Sequence, residues 1–210
     1  MSKIISIEGN IGSGKSTLIQ FLKDHYFFDK NIIFLQEPVD EWNTIKDNNN
    51  VNILTKFYDN QKKYSFAFQM MAYISRLNLL KNTIKNYPKC TIITERSLNT
   101  DRYVFAKMLY ENKLLEDVEY QIYLKWFDSF MDFNIDKTIY IKTSPQTCFE
   151  RVSIRNRNGE NKINIEYLDK CNQYHDKMID NIDHPTLIIN GNENVHENIN
   201  NWINRIHHFI

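Results

Sequence analysis

Residues Gly9-Asn10-Ile11-Gly12-Ser13-Gly14-Lys15-Ser16 spell GxxxxGK[ST], followed by Thr17, directly after an apolar run and at the start of a helical pattern. Glycines at these positions let backbone N–H groups turn inward around phosphate oxygens, and the helix N-terminus adds positive potential. Lys15 is the expected partner of β- and γ-phosphates, and Ser16 the expected ligand of Mg²⁺. The plain alternative is a glycine turn before an ordinary helix. The strand–turn–helix context favours nucleotide binding, without specifying an acceptor.

Acceptor chemistry has to come from other residues. Glu37, followed by Pro38 and Val39, ends an apolar run, where a carboxylate could take the proton of an attacking hydroxyl. Gln69, Ala72 and Arg76 share a helix face, with Phe68 beside them. An amide can pair with a base edge while a phenyl ring stacks on it. The competing reading is a helix with a core stripe of Phe66, Met70 and Ile74 and a solvated polar face. Glu95 and Arg96 end a third apolar run, placed to hold Mg²⁺ or its waters and to neutralise phosphate charge; an ordinary surface ion pair is the alternative. Arg151 and Arg155 share a helix face and Arg157 follows in a loop, a set suited to close over a transferring phosphate, although exposed helix-end arginines are equally common.

Positioning these groups requires a parallel α/β scaffold. Lys3–Glu8, Asn31–Gln36, Cys90–Thr94, Lys137–Lys142 and Thr186–Asn190 are short β-branched runs that fit strands buried on both faces. Helices are expected over Ser13–Tyr26, Gln61–Asn86, Asn99–Glu111, Val118–Phe133, Pro145–Ile154, Ile165–Ile182 and Val195–His208. The alternation predicts an α/β, three-layer fold with a five-stranded parallel sheet flanked by helices. Lys46–Asn52 is expected to be a loop, and Arg155–Asn164 an arginine-rich lid. No repeat or linker divides residues 1–210, so one domain is expected.

Acidic and basic residues balance at 26 each, which argues against a broad cationic surface for nucleic acid. No apolar stretch approaches the ~20 residues of a membrane span. Three scattered cysteines, Cys90, Cys148 and Cys171, fit free thiols in a reducing compartment, and with no leader segment evident a cytoplasmic location is expected.

Five ordered motifs resemble the deoxycytidine/deoxyguanosine kinase family across nearly the whole chain: IEGNIGSGKST (Ile7–Thr17), EPVDEW (Glu37–Trp42), YSFAFQ (Tyr64–Gln69), ERS with DRYVFA (Glu95–Ala106) and RVSIRNRNGE (Arg151–Glu160). The resemblance implies the P-loop kinase fold and transfer of the ATP γ-phosphate to a deoxynucleoside 5′-hydroxyl. Glu37 would then be the base and Arg96 would contact the hydroxyl. Tyr58 and Glu160 would hold the sugar 3′-hydroxyl, and Gln69 and Phe68 would read the base. Trp42, Leu54 and Phe57 would line the pocket, and Arg151, Arg155 and Arg157 would act from the lid. Asn192, Glu193, Asn194 and Val195 lie where relatives hold adenine, with Val195 in place of an aromatic residue. The Arg76/Asp101 pair matches the branch acting on deoxycytidine and purine deoxynucleosides. A carboxylate at Asp101 accepts from an exocyclic amino group and repels the thymine carbonyl, each mispaired buried group costing ~1–3 kcal/mol. Homodimers are usual in the family, and Tyr103–Leu109 and Tyr120–Phe130 are apolar enough to contribute. Two other readings remain at this point: a nucleoside monophosphate kinase of the thymidylate type, and an inert nucleotide-binding scaffold.

Overall fold

The computed structural model describes residues 2–157 and 159–210. Strands β1 (Lys3–Glu8), β2 (Ile32–Leu35), β3 (Thr91–Glu95), β4 (Lys137–Lys142) and β5 (Thr186–Asn190) form one parallel sheet in the order β2-β3-β1-β4-β5. After β3 the chain crosses β1 to reach β4, so the carboxyl ends of β1 and β3 flank a topological switch point, where ligand crevices form. The register sets Ile7 beside Glu95, which brings Glu8, Gly9 and Arg96 to the same edge of the sheet.

Alternation along the strands builds two buried faces. Ile5, Ile7, Ile93, Ile139 and Ile141 pack on Leu18, Ile19 and Leu22 of α1 (Lys15–His25) and on Trp202, Ile203 and Ile206 of α10 (Val195–Phe209). On the opposite face Ile4, Leu35 and Ile92 meet Leu80 of α4 (Gln61–Asn86). Beyond the sheet's carboxyl edge a second core joins α2 (Val39–Thr44), α3 (Ile53–Asp59), α4 and α7 (Asp117–Phe130) through Trp42, Phe57, Tyr73 and Phe127.

The central strands are buried on both faces as the sequence predicts, but β2 and β5 are not. They are the sheet edges, and Ile188 of β5 is exposed. Two short helices, α2 and α3, flank the predicted loop at 46–52, too brief to show a helical period. Asn52 starts α3 by accepting from the Thr55 amide at 2.8 Å. The loop itself is a turn closed by a Lys46–Asn52 bridge, with Asp47 accepting from the Asn49 and Val51 amides. The helix expected over Asn99–Glu111 is three pieces: α5 (Leu98–Thr100), a π-helical segment at Asp101–Ala106, and α6 (Lys107–Glu111). After α8 (Pro145–Arg155), the polar stretch contains a 3₁₀ turn at Glu160–Lys162 before α9 (Ile165–Asp180); Asn158 lies outside the described residues.

Helix α4 has the orientation opposite to its hydrophobic stripe. Ile74 is 43% exposed and Phe66 and Met70 are half-buried, whereas Gln69, Ala72 and Arg76 face inward. Interior partners for Arg76, described below, make this stable; a buried guanidinium without them would be costly. The three cysteines are free thiols, and no described helix is long and apolar enough to cross a membrane.

Leu77 points into the core of α4 and its neighbour Asn78 points to solvent. Leu77→Ala is expected to lower the unfolding free energy by ~2–5 kcal/mol in a urea melt, and Asn78→Ala to change it by less than ~0.5.

Candidate active site

Between the carboxyl ends of β1, β2 and β3 and helices α3 and α4 lies a cavity of about 480 Å³, the size of a small-molecule site. Its floor is the glycine loop. Gly12 adopts φ 79°, and a Cβ there would come within 2.5 Å of the Cys148 carbonyl oxygen, so this turn admits glycine alone. Gly14, also left-handed, is the N-cap of α1 and offers no side-chain acceptor, which leaves the first-turn N–H groups free for an anion.

Lys15 is buried, and its ammonium donates to the Gly9 and Asn10 carbonyls at 3.0 and 2.7 Å. Burial and then the Arg96 charge bring its pKa down to about 7. Asn10 accepts from the Ile11 amide and donates to the Leu168 carbonyl, tying the loop to α9. Ser16 donates to Glu95 at 2.6 Å, so a hydroxyl and a carboxylate oxygen stand together. This pair fits Mg²⁺, which takes few protein ligands and completes its shell with water and phosphate. Thr17 lines the same end of the cavity, while Ser13, Gly9 and Asn10 lie behind it.

The centre is an ion network of two buried arginines on a partly buried carboxylate. Arg96 Nη1 donates to both Glu37 carboxylate oxygens, at 2.8 and 3.0 Å, and Arg76 Nη2 adds a third bond to Oε1 at 3.0 Å. Burial alone would raise the Glu37 pKa. The Arg96, Arg76 and Lys15 charges outweigh it and hold the carboxyl at about 2. Arg76 also reaches Asp101 through Nε at 2.9 Å and the Glu95 carbonyl through Nη1 at 2.8 Å. Arg96 has a left-handed backbone, φ 61°, which costs of order 1–3 kcal/mol for a non-glycine residue. Its amide bond to the Ile7 carbonyl and the Thr94 hydroxyl bonded to its own carbonyl fix that shape.

The outer end of the cavity is aromatic. Phe57 and Phe68 stack at 4.6 Å, and Trp42 meets Phe68 edge-on at 5.3 Å with its indole N–H on Ser75. Leu54 and Ala72 complete this wall, and the Gln69 Oε1 is buried with no partner among the described residues. Gly159, at φ 87°, lets the polar stretch lie against Thr55 of α3. That contact carries Glu160 inside, where Arg155 grips it at 2.7 and 3.1 Å and Arg157 at 3.5 Å. Burial and then the Glu160 charge push the Tyr58 phenol far up, so Tyr58 stays a hydrogen-bond donor beside that carboxylate.

Arg151 forms the other wall, bonded to the Ser13, Gly191 and Glu193 carbonyls. Asn192, Glu193, Asn194 and Val195 follow β5 on the far side of Arg151 and do not line the cavity. Phe105 and Tyr167 do line it and were not anticipated. Phe105 is four residues past Asp101 in one helical stretch, a spacing that could have revealed it; its ring lies 5.1 Å under the Arg96 guanidinium. No sequence signal pointed to Tyr167.

A glycine-rich loop joining the central strand of a parallel sheet to its first helix, with a cavity above it, is consistent with a P-loop kinase fold. The family model for deoxynucleoside kinases matches residues 5–210. The chain is 39% identical over 197 residues to a probable deoxycytidine kinase of fowlpox virus, covering 90% of this chain and 79% of that protein. It is 30% identical over 239 aligned positions to human deoxycytidine kinase, covering 99% and 91%, and 31% identical over 196 to the mitochondrial deoxyguanosine kinase of Xenopus laevis, covering 84% and 73%. The chain belongs to the deoxynucleoside kinase family, phosphotransferases that draw on a nucleotide phosphate donor.

The lowered Lys15 pKa has a measurable sign. The unfolded chain keeps this proton up to an ordinary 10.5 and the folded protein only to about 7, so unfolding takes up a proton between them and stability rises with pH through that window. Lys15→Met is expected to flatten that rise above pH 7 in urea melts of the two proteins run in parallel.

Proposed function

We propose that this protein transfers the γ-phosphate of ATP, in the presence of Mg²⁺, to the 5′-hydroxyl of a deoxynucleoside, favouring deoxycytidine and purine deoxynucleosides over thymidine. One observation carries the reading: the Glu37 carboxylate, clamped by Arg96 and Arg76, shares a cavity with Lys15 and the glycine loop. The whole chain, residues 1–210, acts as a single catalytic domain.

Glycine-loop amides from Gly9 to Thr17 and the Lys15 ammonium bind the donor phosphates, and Ser16 and Glu95 hold Mg²⁺, which supplies neutralising charge. Asn192–Val195 border the donor base. The sugar lies between Tyr58 and Glu160, and the nucleobase between Phe68 and the Leu54/Trp42 wall, with Gln69 and the Arg76/Asp101 pair on its edge. Held near 2, Glu37 is too weak a base while both arginines bind it. An incoming hydroxyl takes the place of the Arg96 contact to Oε2, which frees that carboxylate oxygen for the proton and one Nη1–H for the phosphate. The alcohol oxygen then bonds to the terminal phosphorus as the bond to the ADP oxygen breaks. Arg151, Arg155 and Arg157 spread the transition-state charge, the last two from a lid. A base at Glu37 suits a hydroxyl acceptor, whereas an acceptor phosphate is already ionised and needs none. The three free thiols support a cytoplasmic location.

The outward apolar face supports a homodimer. Ile122, Trp126 and Phe130 of α7 are exposed at i, i+4 and i+8, and Ile74 is exposed on α4, which packs on α7; apolar stripes of this kind are what twofold interfaces bury.

Wild-type protein given each of the four deoxynucleosides with ATP and Mg²⁺ is expected to turn over deoxycytidine, deoxyadenosine and deoxyguanosine faster than thymidine. Glu37→Gln should lower kcat by ~10²–10⁴ with ATP binding retained. Preference for a monophosphate acceptor, or an unchanged kcat, would refute the assignment. In light scattering, Trp126→Glu should shift the protein from dimer to monomer; a wild type that is already monomeric would end the dimer proposal.

A further inference from the structure

The mechanism leaves one buried acid unused. Glu8 ends β1, next to Gly9 of the phosphate loop, and is 1% exposed. Its Oε2 accepts from the Thr100 hydroxyl, while Oε1 is buried with no partner among the described residues. Thr100 is fully buried and directly precedes Asp101, the first residue of the π-helical segment. A π-turn is a rare departure from regular helix that clusters at functional sites, and its phase depends on what holds its first residues.

Following the bonds outward gives a continuous path. Glu8 holds Thr100; Asp101 is the next residue; Asp101 binds Arg76; Arg76 binds Glu37. The strand carrying the phosphate loop is thus linked to the carboxylate assigned to the nucleobase edge. Stability alone gives little reason for such a pair, because replacing both partners of a buried hydrogen bond by apolar groups of the same shape can be nearly neutral. A directional bond one residue from Asp101 does what an apolar pair cannot, which is to fix the rotation of the segment about its axis.

We infer that Glu8, acting through Thr100, is a positioning residue for nucleobase recognition, setting Asp101 in register with the phosphate loop. The inference rests on the deoxynucleoside kinase reading given above and adds to it a determinant of acceptor affinity outside the cavity wall.

The test separates positioning from folding. Glu8→Leu/Thr100→Val replaces both polar partners with apolar groups of similar size, Thr100→Val removes the donor alone, and Thr100→Ser keeps it. For the folded double variant and for Thr100→Val, the acceptor KM should rise about tenfold while the ATP KM stays within about twofold, the loss expected for one anchoring hydrogen bond. Thr100→Ser should keep the wild-type acceptor KM. The role is overturned if the folded double variant, or Thr100→Val should the double variant not fold, retains the wild-type acceptor KM. It is also overturned if both KM values rise together, or if Thr100→Ser is as impaired as Thr100→Val. Wild type run alongside distinguishes the two levels: no turnover of any deoxynucleoside sinks the parent reading and this role with it. An active wild type with unaffected variants sinks this role alone.

Discussion

A carboxylate at the cavity wall held by two buried guanidiniums is the constraint around which this molecule is organised. Arg96 and Arg76 cannot both leave water unless each finds its counter-charge, and the protein meets that condition with two strand ends and one long helix. Removing the carboxylate is costly, because it leaves two buried guanidiniums short of a counter-charge. The network therefore decides which way α4 faces, why β3 ends in a strained arginine backbone, and why Asp101 sits inside rather than on the surface. Phosphate binding obeys the same rule. Lys15, partly stripped of its charge by burial and by Arg96, regains full compensation when a polyanion arrives.

Much of this arrangement could be read from residue types. β1, α4, β4 and β5 begin and end where the residue pattern places them, and the glycine loop could be located from spacing and context. Gln69, Ala72 and Arg76 converge on the cavity, as their shared helical face implies. Hydrophobicity pointed the other way for the same helix, to Phe66, Met70 and Ile74. The ranking of greasy residues fails there because interior ion pairs compensate the polar face and the apolar face is left outside.

Other features had no local signal. Helices α2 and α3 are shorter than two full heptads and owe their form to a cap at Asn52 and to burial of Trp42 and Phe57. The π-helical segment that carries Phe105 leaves no mark on a periodic pattern, because it is set by contacts with α4 and α9 and by the bond from Thr100 to β1. Edge strands cannot be told from central ones until the strand order is known, which is why β2 and β5 are less covered than their composition suggests. Asn192–Val195 lie behind Arg151 rather than in the cavity wall, a placement governed by the three carbonyls that Arg151 joins.

Helix α4 is also a ruler. Gln69 and Arg76 are seven residues apart, about two turns or ~10.5 Å along the axis. That separation sets how far the amide stands from the guanidinium that touches Glu37. Adding or deleting a single residue between them would rotate everything beyond by ~100° and carry Arg76 off the cavity wall. Substitutions along this rod can be absorbed one at a time, but a change of length cannot, so drift in the size of the chain has to be taken up in the connecting turns.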